Sequence, residues 1–309
     1  MRPVPVVMQG RQQRHFYLTN PFRLCAQARP DVAFVEAEPF SLSAAQWRLA
    51  LVRGGVPFGV VCAENRDRNQ PALARWSRSR VLRDAVFVAA RSPDAASLVR
   101  SWGARGAVAW WPHAVPRWEP VASVRERAFT VGYAGRLIES KGVLDLVAAV
   151  RQLDAPVELL LIGDGTMRTQ LEGQAIPGST VQVLNTLTHE QMPSGYAQID
   201  VLVLPSRTTP TWCEQFGRVI AEALWCGVPV VGSSSGSIPQ LLELTGGGLV
   251  FPEGDADALA RQLTRLRNEP ALRKQLASTG QASVRRLFSV PATTDPLERL
   301  LAGALDAVS

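Results

Sequence analysis

The chain has 309 residues, enough for two domains of ordinary size, and 46% of them are hydrophobic against 19% charged, the balance of a globular protein with a sizeable core. Its formal net charge of +6 belongs to the first 120 residues, where 17 arginines face 8 acids; the rest carries 16 lysines and arginines against 19 acids. No apolar run approaches the roughly 20 residues of a spanning helix. The opening MRPVPVVMQGRQQRHFYL lacks both a long apolar core and a small-residue cleavage site, so a cytoplasmic protein is expected. Cys25, Cys62, Cys213 and Cys226 form no C-x-x-C pair and read as reduced, mostly buried thiols. With His15, His113 and His189 also scattered, no zinc-ligand spacing exists.

In chain order, DVAFVEA (31–37), PFGVVCAE (57–64) and VFVAA (86–90) predict buried strands. Between and after them SLSAAQWRLALVRG, PALARWSRSRVLRDA and SPDAASLVRSWG predict helices, the first and last opening on a Ser cap. The basic segment NRDRNQPALARWSRSRVLRDA places Arg66, Arg68, Arg75, Arg78, Arg80 and Arg83 around Trp76. It reads as a solvated helix face or as a surface attracted to anionic lipid or an acidic acceptor. No nucleic-acid motif accompanies the charge. The stretch AVAWWPHAVPRWEPVASVRERA (107–128) breaks the rhythm with three prolines and is where the domain boundary falls.

Beyond it, FTVGYAG, VELLLIGDG, TVQVL, VLVLP, PVVGSS and GLVFP predict six strands. Helices are expected near 142–153, 166–176, 189–199, 216–227, 237–244 and 255–267, and SVPATTDPLERLLAGALDAV predicts a final helix. Continuous apolar strands, each followed by a helix, predict a doubly wound α/β domain with a parallel sheet. Such sheets bind ligands outside the carboxyl ends of their strands, so the polar residues that follow strands are the candidates.

After the strand 129–135, Arg136 and Lys141 are expected to converge on one point. Lys141 is one of only two lysines in a chain with 31 arginines, and a compact ammonium beside a planar guanidinium suits a diphosphate. After the strand 157–162, GDG offers two glycines for close backbone approach and Thr166 a helix cap. No acidic strand end follows at dinucleotide spacing, which argues against NAD. After the strand 201–205, SRTTPTWCEQFGRVIAEALWCG carries Glu214, a helix beginning near Phe216 whose free N–H groups favour an anion, Gly217 for close approach, and Glu222 inside the helix. Glu222 can accept two hydrogen bonds from a ribose diol; the alternative is an ion pair with Arg218, four residues earlier.

These segments resemble the donor half of family 4 of the retaining glycosyltransferases, in register over roughly 129–290, through GYAGRLIESKGVLDLVAA, LLIGDG, GLVFPEGDADALA and the E-x7-E signature with its FG and EALxxGxPV surroundings. Residues 22–116 resemble the acceptor half less sharply. The resemblance implies a GT-B fold, two Rossmann-like doubly wound domains facing across a cleft. The extents are 1–120 for the acceptor side, 121–290 for the nucleotide-sugar side and 291–309 for a C-terminal helix.

It also implies roles. Arg136 and Lys141 hold the diphosphate as it leaves, and Glu214 faces the donor sugar. Gln215, Phe216 and Gly217 offer backbone N–H groups to sugar and phosphate. Glu222 binds the ribose, and Gly135, Gly163, Asp164 and Gly165 line the nucleotide. The activity implied is retaining, hexosyltransferase-type transfer from a UDP- or GDP-sugar to an acceptor hydroxyl, with no bound metal or other cofactor and no general base. The acceptor is a glycan, a lipid-linked sugar or a natural product, with peripheral contact at the inner membrane face through the basic N-terminal domain. Family members open with a strand and a glycine-rich loop that VPVVMQG does not supply, and many carry a histidine where this chain has Glu64 and Asn65, which become the acceptor-side candidates. A protein that binds a nucleotide-sugar without turnover is the alternative reading.

Overall fold

The computed structural model describes residues 5–8, 15–115, 117–119, 121 and 128–306. Residues 116, 120 and 122–127 of the predicted boundary stretch, and the last three residues of the predicted C-terminal helix, lie outside them. The chain divides into two compact units, Met1–His113 with Thr293–Ser309, and Ala114–Ala292.

The first unit begins with a two-stranded antiparallel pair, β1 (Val6–Val7) and β2 (Phe16–Tyr17), followed by α1 (Pro21–Ala28). Then β3 (Ala33–Val35), α2 (Leu42–Arg53), β4 (Phe58–Cys62), α3 (Ala72–Asp84), β5 (Phe87–Ala90), α4 (Pro93–Ser101) and β6 (Ala107–Trp110) alternate. The four strands β3 to β6 pair in parallel and in chain order, without a reversal among the described residues. The Ser caps form as read: Ser41 Oγ accepts from the Ala44 N–H and Ser92 Oγ from the Ala95 N–H, each at 3.1 Å. Strand β6 falls where the proline-rich break was expected to begin. It is a sheet edge with no fully buried residue, so it lacks the continuous apolar character that marks β4 and β5.

The second unit runs through β7 (Thr130–Ala134), a 3-10 turn at Glu139–Lys141, α5 (Val143–Val150), β8 (Glu158–Ile162), α6 (Arg168–Glu172), β9 (Thr180–Leu184) and α7 (Met192–Tyr196). It continues through β10 (Val201–Leu204), α8 (Arg218–Trp225), β11 (Val230–Ser233), α9 (Ile238–Thr245), β12 (Gly248–Phe251), α10 (Ala256–Asn268) and α11 (Pro270–Leu287); α12 (Val290–Asp306) lies largely in the first unit. All six predicted strands are present. They form one parallel sheet in the order β12-β11-β10-β7-β8-β9. The direction of winding reverses between β7 and β10, whose residues Val131 and Val201 are register partners. The loops that leave the carboxyl ends of these two strands therefore diverge and open a crevice between them.

Two predicted helices are shorter than read, α6 and α7 having five residues each, and Thr166 caps nothing because Met167 holds the position before α6. The 18-residue α11 was not among the predicted helices. Its Gly280 interrupts the helical pattern for a packing reason: a Cβ there meets Leu224 Cδ2 at 2.6 Å and Gly247 Cα at 2.7 Å. The core on one face of the sheet is Tyr133, Leu146, Leu159, Leu161, Val203 and Phe251 with their neighbours, all fully buried.

Candidate functional site

The loops after β7 and β8 are packed backbone to backbone. Gly135 N–H donates to Ile162 O at 2.9 Å, Leu137 N–H to Asp164 O at 2.8 Å, and Met167 N–H to Leu137 O at 2.9 Å. Gly163 has φ +149°, and a Cβ on it falls 1.9 Å from Gly135 O; at Gly165, φ +156°, it falls 2.4 Å from Leu137 O. The close approach these glycines permit is thus first of all to the neighbouring loop. Underneath, the buried Tyr133 hydroxyl donates to Arg136 O at 2.7 Å and fixes the loop that carries the Arg136 side chain.

The loop after β10 is tied to the same region. Arg207 N–H donates to Ser140 O at 2.9 Å, and its guanidinium pairs with the buried carboxylate of Asp145. The loop returns through Glu214, whose Oε2 lies 2.6 Å from Lys141 Nζ and accepts from Ser206 Oγ at 2.7 Å. Glu214 is buried, 8% exposed, and its carbonyl accepts the Ser237 N–H at 3.0 Å. Trp212 lays its ring beneath Lys141, with Nζ 4.5 Å from the centroid. Gly217, φ +65°, then turns the chain into α8.

Glu222 lies one turn into α8 and is 4% exposed. Tyr196 donates its hydroxyl to Oε2 at 2.8 Å, and Arg218 Nε reaches Oε1 at 2.9 Å, so the ion pair weighed as an alternative is present. Burial and the Glu222 charge push the Tyr196 phenol well above its ordinary range, and the same two causes push the Cys226 thiol up to about 12. Both therefore stay protonated at neutral pH.

A cavity of about 310 Å³ opens at this point, lined by Gly135, Arg136, Gly163, Asp164, Arg218, Val219 and Glu222 together with Thr186, Leu187, His189 and Met192. The first residues of α8 thus face it with the positive end of the helix dipole. Of the predicted donor residues, five line this cavity: Gly135, Arg136, Gly163, Asp164 and Glu222. Lys141 and Glu214 form a separate pair in the same crevice, so the two cations do not share one wall. Gly165, Gln215, Phe216 and Gly217 lie outside the lining.

Sequence reasoning missed Tyr196, Ser206, Trp212, and the tilted aromatic pair Trp118 and His189, whose ring centroids are 4.7 Å apart. Trp212 alone carried a local signal, two residues before Glu214; the others meet their partners only through the fold. Among the described residues no group of three or more His, Cys, Asp or Glu is placed to hold a metal ion.

In the first unit, Glu64 and Asn65 follow β4 at the carboxyl edge of the sheet. Glu64 is buried, pairs with Arg68 at 2.9 Å and accepts the Arg66 N–H at 3.2 Å, so much of its carboxylate is already engaged. Next to it, Glu38 Oε1 accepts the Ala63 N–H at 2.8 Å while Oε2, shielded from water, has no hydrogen-bond partner among the described residues. Burial pushes this carboxyl up to about 7. No described helix is long and apolar enough to cross a membrane.

The family described as "Glycosyl transferases group 1" matches residues 116–283, more than half the chain. The GDP-mannose-dependent monoacylated alpha-(1-6)-phosphatidylinositol monomannoside mannosyltransferase of Corynebacterium glutamicum is 32% identical over 160 residues, 50% of this chain and 42% of that protein. The lipopolysaccharide core biosynthesis glycosyltransferase LpsE of Rhizobium meliloti is 32% identical over 169 residues, 54% and 48% of the two chains. Each match thus spans less than half of the relative's length. Among solved structures, HepE from Anabaena in complex with UDP superimposes with a TM-score of 0.75 at 19% identity, over 91% of this chain and 82% of that one. Sucrose-phosphate synthase from Thermosynechococcus elongatus gives 0.74 at 22%, over 92% and 76%. At these identities the likeness is one of fold: an α/β protein with parallel sheets in two Rossmann-like units, as in GT-B glycosyltransferases.

Proposed function

Because the chain belongs to the glycosyl transferases group 1 family, we propose that it is a retaining glycosyltransferase moving a sugar from a UDP- or GDP-sugar to an acceptor hydroxyl, without a bound metal. The observation that carries this reading is the cavity at the winding reversal. One anchored carboxylate, Glu222, one guanidinium, Arg136, and the N-terminus of α8 line a single space of about 310 Å³.

The nucleoside lies with its ribose hydroxyls on Glu222, which Tyr196 and Arg218 hold in place, and its base toward Thr186, Leu187 and His189. The diphosphate extends along the start of α8 between Arg136 and Lys141. Lys141 exchanges Glu214 for phosphate oxygen, and Glu214 turns to the donor sugar while keeping its bond from Ser206. Charge developing on the leaving diphosphate meets donors already in position, which is how preorganised sites lower a barrier. The acceptor attacks from the leaving-group side and passes its proton to the departing phosphate, so no side chain acts as general base. Glu64 and Asn65 are the acceptor-side groups. Glu64 contributes through its contacts with Arg66 and Arg68 rather than as a free carboxylate.

The relatives' names favour a glycan or lipid-linked acceptor, and an anionic membrane surface suits the first unit. On α3, Leu73 is 75% and Trp76 57% exposed, with the Arg80 guanidinium 4.9 Å from the Trp76 ring centroid. Such a site belongs at the cytoplasmic face.

Thermal unfolding with UDP, GDP, ADP and their sugar conjugates tests the donor site. A ligand at about 100 times its Kd adds roughly 2.7 kcal/mol. A shift with a uridine or guanosine diphosphate that Glu222→Ala abolishes is expected; no shift with any of them overturns the reading.

A further inference from the structure

Lys141 has two neighbours of different character. The Glu214 carboxylate takes one of its N–H groups at 2.6 Å, and the face of Trp212 lies beneath the same ammonium, 4.5 Å from Nζ to the ring centroid. Trp212 is delivered there by the turn Thr209–Trp212, in which Thr209 N–H donates to Trp212 O at 2.7 Å and Trp212 N–H returns to Thr209 O at 3.4 Å. The indole is half-buried, and the Lys141 side chain is 13% exposed. Carboxylate and indole therefore share one cation.

The two contacts differ in what they cost a ligand. A carboxylate occupies an N–H donor and must be displaced before that donor can reach phosphate oxygen. A ring face attracts the charge through its quadrupole and leaves all three donors free. Once Glu214 lets go, a lysine with four rotatable carbons is otherwise unrestrained, whereas the indole keeps the ammonium where it stood. Glu214 in turn is not left bare, because Ser206 Oγ stays 2.7 Å from the same oxygen.

Resting on the donor-site reading above, we propose that Trp212 is a positioning residue for the diphosphate. It acts through Lys141, touches neither base nor ribose, and makes the protein's preference for a nucleoside diphosphate over the monophosphate depend on an aromatic face at this position.

The test is the binding of UDP, UMP, GDP and GMP to the full chain and to Trp212→Leu, Trp212→Phe, Lys141→Ala and the Lys141→Ala/Trp212→Leu double variant. The wild type is expected to prefer one diphosphate over its monophosphate. Trp212→Leu should weaken the diphosphate roughly tenfold, leave the monophosphate unchanged, and add nothing in the Lys141→Ala background. Trp212→Phe, which restores a ring face, should recover most of the preference. Thermal midpoints confirm folding; Trp212→Gln carries the same expectation if Trp212→Leu does not fold. Equal weakening of mono- and diphosphate, or a further loss on top of Lys141→Ala, overturns the role of Trp212 and leaves the donor site standing. A wild type that binds none of the four, or does not distinguish diphosphate from monophosphate, overturns the donor-site reading and this inference with it.

Discussion

Tyr196 donates its hydroxyl to Glu222 at 2.8 Å, joining α7 to α8 inside the sheet's crevice. Burial and that same carboxylate push the phenol well above its ordinary range, so it remains a donor at neutral pH. Tyr196→Phe leaves Glu222 with Arg218, an exposed partner free to swing away. A hydrogen bond to a charged group is worth about 1.5–3 kcal/mol. A loss of stability of that order is expected, with nucleotide affinity about tenfold weaker as Glu222 loses its fixed direction. Calorimetric titration of UDP and GDP alongside thermal unfolding reads both; unchanged affinity with reduced stability would show that Tyr196 serves the fold alone.

Arg136 lines the cavity, and Lys141 is paired with Glu214 outside its lining. If both stabilise the leaving diphosphate, each alanine variant should lose about 10²-fold or more in kcat, the scale for one preorganised donor. Sugar transfer measured at saturating donor decides the matter, and near-normal rates in both would remove the diphosphate role.

Glu38 gives a prediction about pH. Its folded carboxyl titrates at about 7, against 4.5 for an unperturbed glutamate, chiefly because burial disfavours the charge. The folded state therefore binds more proton than the unfolded one between these values, and stability falls as pH rises through that window. Glu38→Gln keeps an acceptor for the Ala63 N–H and removes the charge. It should raise stability at pH 8 by on the order of 2–3 kcal/mol and flatten the pH dependence between about 5 and 8. Chemical denaturation at pH 5 and pH 8 tests this; a variant with the wild-type slope contradicts it.

Leu73 and Trp76 predict attachment to anionic vesicles. Co-sedimentation with vesicles containing phosphatidylserine should retain the protein at low salt and lose it in Leu73→Ser/Trp76→Ser, while neutral vesicles retain neither. Retention of the double variant would place the contact elsewhere or dissolve it.

The four inner strands of the second unit, β7, β8, β10 and β11, were legible because they are buried on both faces and appear as short apolar runs; the edge strands β9 and β12 are partly exposed and were found by the spacing of the alternation. The carboxyl-end rule then led from strands to Arg136, Lys141, Glu214 and Glu222. Helix α11 was not legible, since its central glycine answers to a helix packed across it rather than to a helix end. The pairing of Tyr196 with Glu222 and of Trp212 with Lys141 was hidden for another reason. Partners 26 and 71 positions apart are brought together by sheet order, and no local pattern encodes that order. The ion pair of Glu222 with Arg218 was visible as a spacing of four, and the buried Glu222 is also among the residues that line the cavity.

Thr186, Leu187 and His189 all come from the single connection between β9 and α7, whereas Gly135, Arg136, Gly163 and Asp164 sit on the loops after β7 and β8, which are bonded to one another along their backbones and, through Arg207 and Ser140, to the loop after β10. The two sets of lining residues therefore belong to different connections, joined where the Gly163 N–H donates to Leu184 O at 3.1 Å. If the donor binds as proposed, with its base against the β9–α7 connection, changes confined to that connection are expected to exchange one nucleotide for another while the diphosphate contacts stay. On that reading, the short connection is the place to randomise when a new donor is wanted, and the three bonded loops are the part to leave intact.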